Sequence, residues 1–342
     1  MNSPQPRQTV VIFKLGSLGD TVIGLPCFHQ IERTFPGARR VLLTNFPVAA
    51  VAAPAATLLQ NGGLIEDAVD YQVGERRPGK LMALRRSLRA IGSDTLIYMN
   101  GGRSLLAVLR DLIFFRLCGF RRIIGAPLSR DLLFVRQDPE SGQVEREVER
   151  LVRALAELGP IDLTDRAGWD LRLTSEEKAA GERFLAPLGG RPFVAINTGG
   201  KVQINDWGLP NWEALLGRLS RRLPGHALVV VGAKEDEARA EHLSAFWEGP
   251  VLSGCGRLAP RESAAVLGRA RLFVGHDSGP LHLAAAVGAP CVSMFGDNNP
   301  PRKWHPIGAQ HRIIHDMAGV SAISPDRVFQ AVEEALAVPE KV

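Results

Sequence analysis

The sequence has few cysteines and no long apolar run, and each absence narrows the class of protein. The four cysteines in 342 residues are Cys27, Cys118, Cys255 and Cys291, which lie far apart and form no CxxC pair. This spacing favours a reducing compartment and argues against a structural zinc site. No apolar run reaches the roughly 18 residues of a bilayer-spanning helix, and the first residues lack the charged, apolar and small-residue order of a signal peptide. We therefore expect a cytoplasmic protein.

Several catalytic motifs are also missing. The sequence contains no HExxH, no GxSxG and no DxD, so a metalloprotease, an α/β-hydrolase and metal-bridged sugar transfer are all disfavoured. We expect no metal site and no resident cofactor. Aromatic residues make up only 6% of the chain and do not alternate with basic residues, which weakens the case for a nucleic-acid partner.

Charge is present but unevenly distributed. The net charge is +5, whereas residues 76–136 contain 13 lysines and arginines against three acidic residues, a local balance of +10. Such a basic block predicts an anionic partner, either nucleic acid, an acidic lipid surface or a phosphorylated glycan; the alternative is a solvated arginine-rich face. Within the block, SLLAVLRDLIFFRLCGF (104–120) predicts an amphipathic helix with Arg110 and Arg116 on its polar side.

The chain alternates short apolar runs with segments of helical spacing. In the first half, TVVIFKL (9–15), RRVLLTN (39–45) and SDTLIYMN (93–100) predict strands, and TVIGLPCFHQIERTF (21–35) predicts a helix. From residue 192 the alternation is more regular: PFVAINTGG, HALVVVGA, RLFVGHD and PCVSMFG predict strands, with helices between them. This pattern predicts an α/β protein with doubly wound parallel sheets.

The length suits two domains of ordinary size. A polar stretch at 159–178 is the best candidate for the linker, so we expect an N-terminal domain over 1–170 and a C-terminal domain over 171–324. A last helix over 325–342 is expected to pack back on the N-terminal domain. Open α/β domains bind ligands at the carboxyl ends of their strands, which predicts a site in the cleft between the two domains.

The stretch GHDSGPLHLAAAVG combines a strand end, a flexible turn and a small-residue helix. The free N–H groups of Ser278 and Gly279 and the helix dipole would suit a diphosphate. His282 could donate to a phosphate oxygen, and Asp277 could accept hydrogen bonds from sugar or ribose hydroxyls. The alternative interpretation is an ordinary helix start, with Asp277 or Ser278 as the N-cap and His282 buried against the sheet.

Two further strand-end turns carry polar groups. In NTGGKVQINDWGLPNW, Thr198, Gly199 and Gly200 form a turn beside which Lys201 could neutralise a phosphate. Glycine turns are common, so this signal is weak alone.

In KLGSLGDTVIGLP, the small residues Gly16, Ser17 and Gly19 would let the backbone approach a ligand. Asp20 is then either a helix-capping residue or a general base facing the opposite domain. The spacing of glycines fits neither a Walker P-loop nor GxGxxG.

Taken together, these three turns resemble those of glycosyltransferase family 9, the heptosyltransferases of bacterial lipopolysaccharide assembly. The resemblance is carried by FVGHDSGPLHLAAAVGAPCVSMFG, by WHPIG after it, and by KLGSLGDTVIGLPCFHQIERTFPGARR near the N-terminus. It implies a GT-B fold, in which two Rossmann-like doubly wound domains face a central cleft. It also implies an inverting, metal-independent transferase that uses a nucleotide-diphosphate sugar as co-substrate, commonly ADP-heptose.

The resemblance also implies roles for individual residues. Asp20 matches the base that activates the acceptor hydroxyl. The remaining matches concern the donor: Asp277, Ser278, Gly279 and His282 in the donor motif, Thr198 and Gly199 in the phosphate turn, and Glu235 or Asp236 as the acid that meets the ribose. The sequence departs from the family at Asn205, where a lysine is common and for which Lys201 could substitute, and at YMNGG on the acceptor side.

The resemblance implies that the first domain binds the acceptor, and this suggests a function for the basic block. Arg103, Arg110, Arg121 and Arg122 would bind an anionic glycan or lipid-linked acceptor, and peripheral attachment to the inner face of the inner membrane would follow. Two other functions stay open: a transferase of the same fold that uses a UDP- or GDP-hexose, and a non-catalytic protein that binds sugar nucleotides.

Overall fold

The computed structural model describes residues 7–46, 55–200 and 203–337. The described residues up to Gly168 form one compact unit, and those from Trp169 onward form a second. This division falls within the polar stretch 159–178.

The first unit contains a five-stranded parallel sheet with the strand order β3-β2-β1-β4-β5. Its strands are β1 (Thr9–Phe13), β2 (Arg39–Thr44), β3 (Asp67–Asp70), β4 (Thr95–Tyr98) and β5 (Arg122–Ile124). Its helices are α1 (Leu18–Ile23), α2 (Leu25–Thr34), α3 (Ala55–Gln60), α4 (Pro78–Ala90), α5 (Leu105–Cys118), α6 (Arg130–Leu133) and α7 (Glu147–Ala154). β1 is the central strand, and its residues Val10, Val11 and Ile12 are fully buried, as expected of a parallel strand covered on both faces.

The predicted helix over 21–35 is two helices. Gly24 ends α1 and also precedes α2, whose second residue is Pro26. Proline has no N–H to bond the carbonyl one turn earlier and disfavours the helical conformation of the residue before it. A continuous helix is therefore broken at this point.

The second unit contains a six-stranded parallel sheet with the order β11-β10-β9-β6-β7-β8. Its strands are β6 (Phe193–Asn197), β7 (Ala227–Val230), β8 (Val251–Ser253), β9 (Leu272–His276), β10 (Cys291–Phe295) and β11 (Arg312–His315). Its helices are α8 (Ser175–Leu185), α9 (Leu209–Arg222), α10 (Glu237–Ser244), α11 (Pro260–Leu267), α12 (Gly279–Ala286) and α13 (Pro325–Leu336). Both sheets have the strand order of a Rossmann-like domain, in which the direction of winding reverses beside the first strand.

The reversal places the ends of particular strands together. In the first sheet β1 lies between β2 and β4, and in the second sheet β6 lies between β7 and β9. The crevice outside the carboxyl ends of the strands at such a reversal is the usual ligand site of an open α/β sheet. Both sheets therefore present the turns that the sequence singled out at the position where a ligand is expected.

The last helix, α13, is part of the core of the second unit. Val328, Ala331, Val332 and Ala335 are buried there, and the helix contacts α9 and the strands β9 to β11. The Ser324 hydroxyl accepts a hydrogen bond from the Arg327 backbone N–H and caps the helix start.

Helix α5 differs from the expectation of an amphipathic helix with a polar outer side. Its buried residues are Val108, Asp111, Phe115 and Cys118. Leucine and isoleucine side chains lie among the arginines on the exposed side. The prediction of a polar outer side is therefore wrong, because both sides of the helix are largely apolar. Among the described residues, no helix has the length and apolar character needed to cross a membrane.

Candidate functional site

The turns after β6 and β9 lie side by side in the second unit. The strands pair in parallel, with Asn197 opposite Gly275. This register brings the Thr198–Gly200 turn next to the segment from His276 to Gly279. The two turns predicted to hold the donor are therefore adjacent at the carboxyl edge of one sheet.

Buried polar atoms without hydrogen-bond partners are concentrated at these two strand ends and the loop beside them. Since more than nine in ten buried polar groups in folded proteins are hydrogen-bonded, each exception needs an explanation. Among the residues that the structure describes, the unpaired atoms here are Asn197 Oδ1, Thr198 Oγ1, Asn205 Oδ1 and Ser278 Oγ. Such a concentration is what a site that hydrogen-bonds a polar ligand requires.

Ser278 has the position of a helix N-cap without performing the function of one. Its backbone is extended, at φ −154° and ψ 163°, directly before α12, yet its side chain makes no capping hydrogen bond. The alternative interpretation of this turn as an ordinary helix start therefore does not account for the Ser278 hydroxyl. Gly279 begins the helix, so its N–H has no acceptor within α12.

Two side chains contact the Asp277 carboxylate, and a third holds one of them in place. Asn299 Nδ2 donates to Asp277 Oδ2 at 3.4 Å, and Trp304 Nε1 donates to Asn299 Oδ1 at 2.9 Å. His282 is buried, and its Nε2 lies 3.7 Å from Asp277 Oδ1. The WHPIG motif thus acts on the donor turn through Trp304 and Asn299, a connection that the sequence alone does not reveal.

Asn205, where a lysine is common in the resembled family, contacts the same turn. Its side chain is buried, and its Nδ2 donates to the Asp277 carbonyl oxygen at 3.3 Å. An amide at this position bonds the backbone and carries no positive charge toward a ligand. Lys201, the suggested substitute for that charge, lies outside the described residues.

Close packing requires glycine at both Gly199 and Gly200 in the turn after β6. A Cβ at Gly199 would lie 1.9 Å from Asp236 Oδ1, and a Cβ at Gly200 would lie 3.1 Å from His276 Cε1. Asp236 Oδ2 also accepts a hydrogen bond from the Ala233 N–H, and burial raises the pKa of this carboxyl group above its ordinary value. Glu235, the other candidate for the ribose, is exposed.

Arg239, which is paired with Asp206, binds a carbonyl oxygen of the same turn. Neither residue was predicted to belong to the site. Arg239 donates to Asp206 through both terminal nitrogens and to the Thr198 carbonyl oxygen at 3.1 Å. Burial would raise the pKa of Asp206, but the hydrogen bonds from Arg239 and from the Gly208 N–H lower it overall. Asp206 and Arg239 are 33 positions apart in the sequence, and no local pattern connects them.

His276 is the most buried titratable side chain of this region. Its exposed fraction is 0%, and burial lowers its pKa below the ordinary value of 6.5. The imidazole is therefore neutral at pH 7, with one nitrogen able to donate and the other to accept. Sequence reasoning placed His276 on a buried strand and assigned it no role.

The predicted acceptor turn of the first unit lies where three strand ends meet. The Gly16 N–H donates to Asn45 Oδ1 after β2, and the Leu15 N–H donates to Asn100 Oδ1 after β4. The backbone of Gly16 has φ +140°, and a Cβ there would lie 2.5 Å from the Cβ of Asp20. Glycine is therefore required because the Asp20 side chain packs against it.

Asp20 has a structural role whether or not it is catalytic. Ser17 is the N-cap residue of α1, and both its N–H and its hydroxyl donate to Asp20 Oδ2, at 2.6 and 2.7 Å. Gly19 is buried within the first turn of the helix. The carboxylate is thus oriented by the turn that precedes it, as a positioned base would need to be.

The YMNGG departure on the acceptor side is explained by packing around β4. Asn100 also donates from Nδ2 to the Phe13 carbonyl oxygen, which joins β4 to β1. A Cβ at Gly101 would lie 2.2 Å from Arg150 Cζ, and Arg150 is buried and paired with Glu147 at 2.5 Å. The glycine therefore makes room for a buried guanidinium.

Two of the four predicted acceptor-binding arginines neutralise a buried carboxylate. Arg103 lies 2.7 Å and Arg110 lies 3.0 Å from the Asp111 oxygens, and the Tyr98 hydroxyl donates to Asp111 Oδ2 at 3.1 Å. Because removing one member of a buried ion pair leaves an uncompensated charge, Arg103 has a structural function. Arg110 is more exposed, at 59% of its side chain.

The other two arginines are at the wrong edge of the sheet for the predicted acceptor site. Arg122 begins β5 and pairs with Glu157 at 2.6 Å, and the Arg121 N–H donates to the Asp94 carbonyl oxygen just before β4. In a parallel sheet, strand starts and strand ends lie at opposite edges. Grouping Arg121 and Arg122 with Asp20 in one acceptor site was therefore wrong.

The described residues contain no group of three or more histidine, cysteine, aspartate or glutamate side chains that could hold a metal ion. The four cysteines are buried and unpaired.

Comparison with known proteins connects this arrangement to a family. Lipopolysaccharide heptosyltransferase 1 of Pseudomonas aeruginosa is 26% identical over 307 residues, which cover 85% of this chain and 79% of that protein. The glycosyl transferase family 9 structure from Veillonella parvula has a TM-score of 0.74 at 18% identity and covers 96% of this chain and 97% of its own. The Escherichia coli heptosyltransferase WaaC, solved with ADP-2-deoxy-2-fluoro heptose, has a TM-score of 0.63 at 20% identity, with 96% and 99% covered.

The structural likenesses confirm the fold, which is GT-B with two Rossmann-like units. The family model for glycosyltransferase family 9 (heptosyltransferase) matches residues 81–325, more than half of the chain. The protein is therefore an enzyme that belongs to glycosyltransferase family 9.

Proposed function

We propose that this glycosyltransferase moves a heptose from ADP-heptose to a lipopolysaccharide-type acceptor, with inversion at the anomeric carbon and without a metal or other cofactor. The observation that carries the proposal is the concentration of unpaired buried polar atoms at the ends of β6 and β9. Its chemistry suits a polar, phosphate-bearing donor, and relatives of the chain are lipopolysaccharide heptosyltransferases.

The second unit would bind the donor. Ser278 Oγ, the Gly279 N–H and His282 would contact the diphosphate, where the N-terminus of α12 favours negative charge. The turn of Thr198, Gly199 and Gly200 would bring backbone groups to the same phosphates. Lys201 is proposed to supply a positive charge, since Asn205 supplies none.

The remaining donor contacts concern hydroxyl groups. Asp277 would accept from the sugar, because Asn299 and His282 already orient its carboxylate. Glu235 is exposed on the turn after β7 and would accept from the ribose. A carboxylate suits a hydroxyl donor, whereas it would repel a phosphate.

Asp20 would take the proton of the attacking acceptor hydroxyl. A positioned base of this kind is typically worth about 10²–10⁴-fold in rate. As the bond to the diphosphate breaks, the growing negative charge on the leaving group would be stabilised by N–H groups, by His282 and by Lys201. No step of this scheme calls for a bridging metal ion.

The acceptor is proposed to be an anionic or lipid-linked glycan, reached from the cytoplasmic face of a membrane. Gly16, Ser17 and Gly19 would let the acceptor approach Asp20, and Arg110 would offer an exposed cation in the same unit. Arg103 would support acceptor binding indirectly, through its ion pair with Asp111.

The donor is tested by thermal unfolding with a panel of nucleotide sugars. A ligand at about 100 times its Kd stabilises the folded state by about 2.7 kcal/mol, so ADP-heptose should raise the Tm while UDP- and GDP-hexoses should not. A shift with a UDP- or GDP-hexose alone would overturn the donor assignment in favour of the alternative transferase.

The base is tested with Asp20→Asn, which keeps an oxygen to accept from Ser17 and so preserves the start of α1. Transfer should fall by about 10²–10⁴-fold while donor affinity stays within a few-fold. Turnover near that of the wild type would remove Asp20 from the mechanism. Donor binding by the wild type without transfer to any lipopolysaccharide-type acceptor would instead indicate a non-catalytic binding protein.

A further inference from the structure

Helix α5 presents an apolar stripe to solvent in the first unit. The stripe comprises Leu105, Leu106, Leu109, Ile113 and Leu117, whose exposed fractions are 43%, 79%, 41%, 63% and 57%. The positions 106, 109, 113 and 117 repeat every three or four residues, so they lie along one side of the helix. Over 14 residues the helix is about 21 Å long. We propose that this stripe, called here the α5 outer face, docks on an anionic phospholipid bilayer.

The opposite side of α5 holds the helix firmly on the sheet. Phe115 lies edge-to-face against Phe13 of β1 at a centroid distance of 5.0 Å and against Phe120 at 6.1 Å. Val108 and Cys118 are buried on the same side. Because this packing fixes the rotation of the helix, the α5 outer face cannot turn inward and needs cover from outside.

The charges around the stripe favour a lipid surface over other occupants. Arg110 and Arg116 lie among the exposed apolar residues of α5, and Lys80, Arg86 and Arg89 are exposed on α4, which packs beside α5. Long basic side chains can lay their stems on apolar surface while their charges reach phosphates. A helix with apolar and basic groups on one side is typical of binding in the interface of an anionic membrane.

Helices α4 and α5 expose no acidic side chain. Helix α4 contains no aspartate or glutamate, and the single acid of α5, Asp111, is buried between Arg103 and Arg110. A second copy of the chain docked face to face would bring arginines against arginines with no exposed carboxylate to pair them. The same argument disfavours a basic protein partner.

Docking through α5 would also serve the proposed transfer. The helix begins a few residues after β4 ends, and Asn100 at that end is bonded to the Leu15 backbone beside the Asp20 turn. The edge of the sheet that carries Asp20 is therefore joined directly to the start of the docking helix. This inference extends the membrane contact of the proposed function, although binding to lipid does not itself require transfer.

The test is co-sedimentation of the full chain with vesicles of phosphatidylcholine alone or mixed equally with phosphatidylglycerol. We expect binding to the mixed vesicles that weakens as salt rises, and little binding to phosphatidylcholine. The double variant Leu106→Gln/Ile113→Gln should bind at least tenfold more weakly. Met317→Gln, which replaces a side chain that is 55% exposed in the second unit, should bind as the wild type does. Arg86→Gln/Arg89→Gln should mainly reduce the salt dependence.

Two controls separate this inference from folding and from the transferase proposal. The Leu106→Gln/Ile113→Gln variant should keep the wild-type Tm, because both side chains are exposed, and should keep wild-type transfer to a water-soluble acceptor fragment. Wild-type binding by that variant would overturn the inference. So would a wild-type dimer in sedimentation analysis that the variant abolishes, since the α5 outer face would then belong to a second copy.

Discussion

Replacing Ser278 by alanine distinguishes a ligand-binding serine from a helix-capping serine. A serine N-cap that is hydrogen-bonded contributes about 0.5–2 kcal/mol to stability. Ser278 has the N-cap position of α12 without the hydrogen bond, and its buried Oγ has no partner among the described residues. Ser278→Ala should therefore cost almost no stability, or should stabilise slightly, because a buried unpaired hydroxyl is removed.

The same substitution should weaken donor binding strongly. A hydrogen bond to a charged group such as a diphosphate is worth about 1.5–3 kcal/mol, which corresponds to roughly a tenfold to hundredfold increase in Kd. Isothermal titration of the nucleotide sugar measures this change, and urea unfolding measures stability in the same preparation.

Ser324→Ala is the matched control. Ser324 caps α13 and its hydroxyl does accept from the Arg327 N–H, so the variant should lose about 1 kcal/mol of stability and keep its donor affinity. The reasoning is refuted if Ser278→Ala destabilises the protein as much as Ser324→Ala while donor affinity is unchanged, since Ser278 would then be an ordinary cap.

Two further predictions concern the same site. Gly199→Ala should weaken donor binding and lower the Tm, because its Cβ would collide with Asp236. As a control, Gly217→Ala in α9 has room for the added Cβ and should stabilise the helix by about 1 kcal/mol. Equal Tm values for the two variants would contradict this prediction. Since burial lowers the pKa of His276 below 6.5, the unfolded chain binds the extra proton first, so this histidine costs stability as pH falls below about 6.5. His276→Gln should lose that part of the pH dependence in unfolding measured from pH 7.5 to 5, and an unchanged slope would show that another group is responsible.

Much of the fold was predictable because buried parallel strands have a distinctive composition. FVAIN, LFVGH and CVSMF are apolar runs bounded by glycine or polar residues, and each is a fully buried strand. β3, β5, β8 and β11 were not predicted as strands, since each has only three or four residues and is incompletely buried. The break at Gly24 was missed, although Pro26 was the signal for it.

The site was predictable in part for a related reason. Ligands bind at the carboxyl ends of the strands in open α/β sheets, so Thr198, Asp277 and Ser278 could be proposed as site residues from their positions alone. Their partners Asn205, Asn299 and Arg239 come from distant parts of the chain, and no local pattern connects them to the turn. The edge on which Arg121 and Arg122 lie likewise depends on where β5 begins.

The sequence by itself determined the parallel α/β architecture, the glycine turns and the family, because these follow from local composition and from ordered motifs. Only the tertiary structure decided which polar atoms are left unpaired, which arginines are already bound to Asp111, and that α5 is apolar on its outer side as well. The physical reason is that pairing and exposure depend on neighbours brought together by folding, and residues 13, 98 and 115 become neighbours only once the sheet has formed.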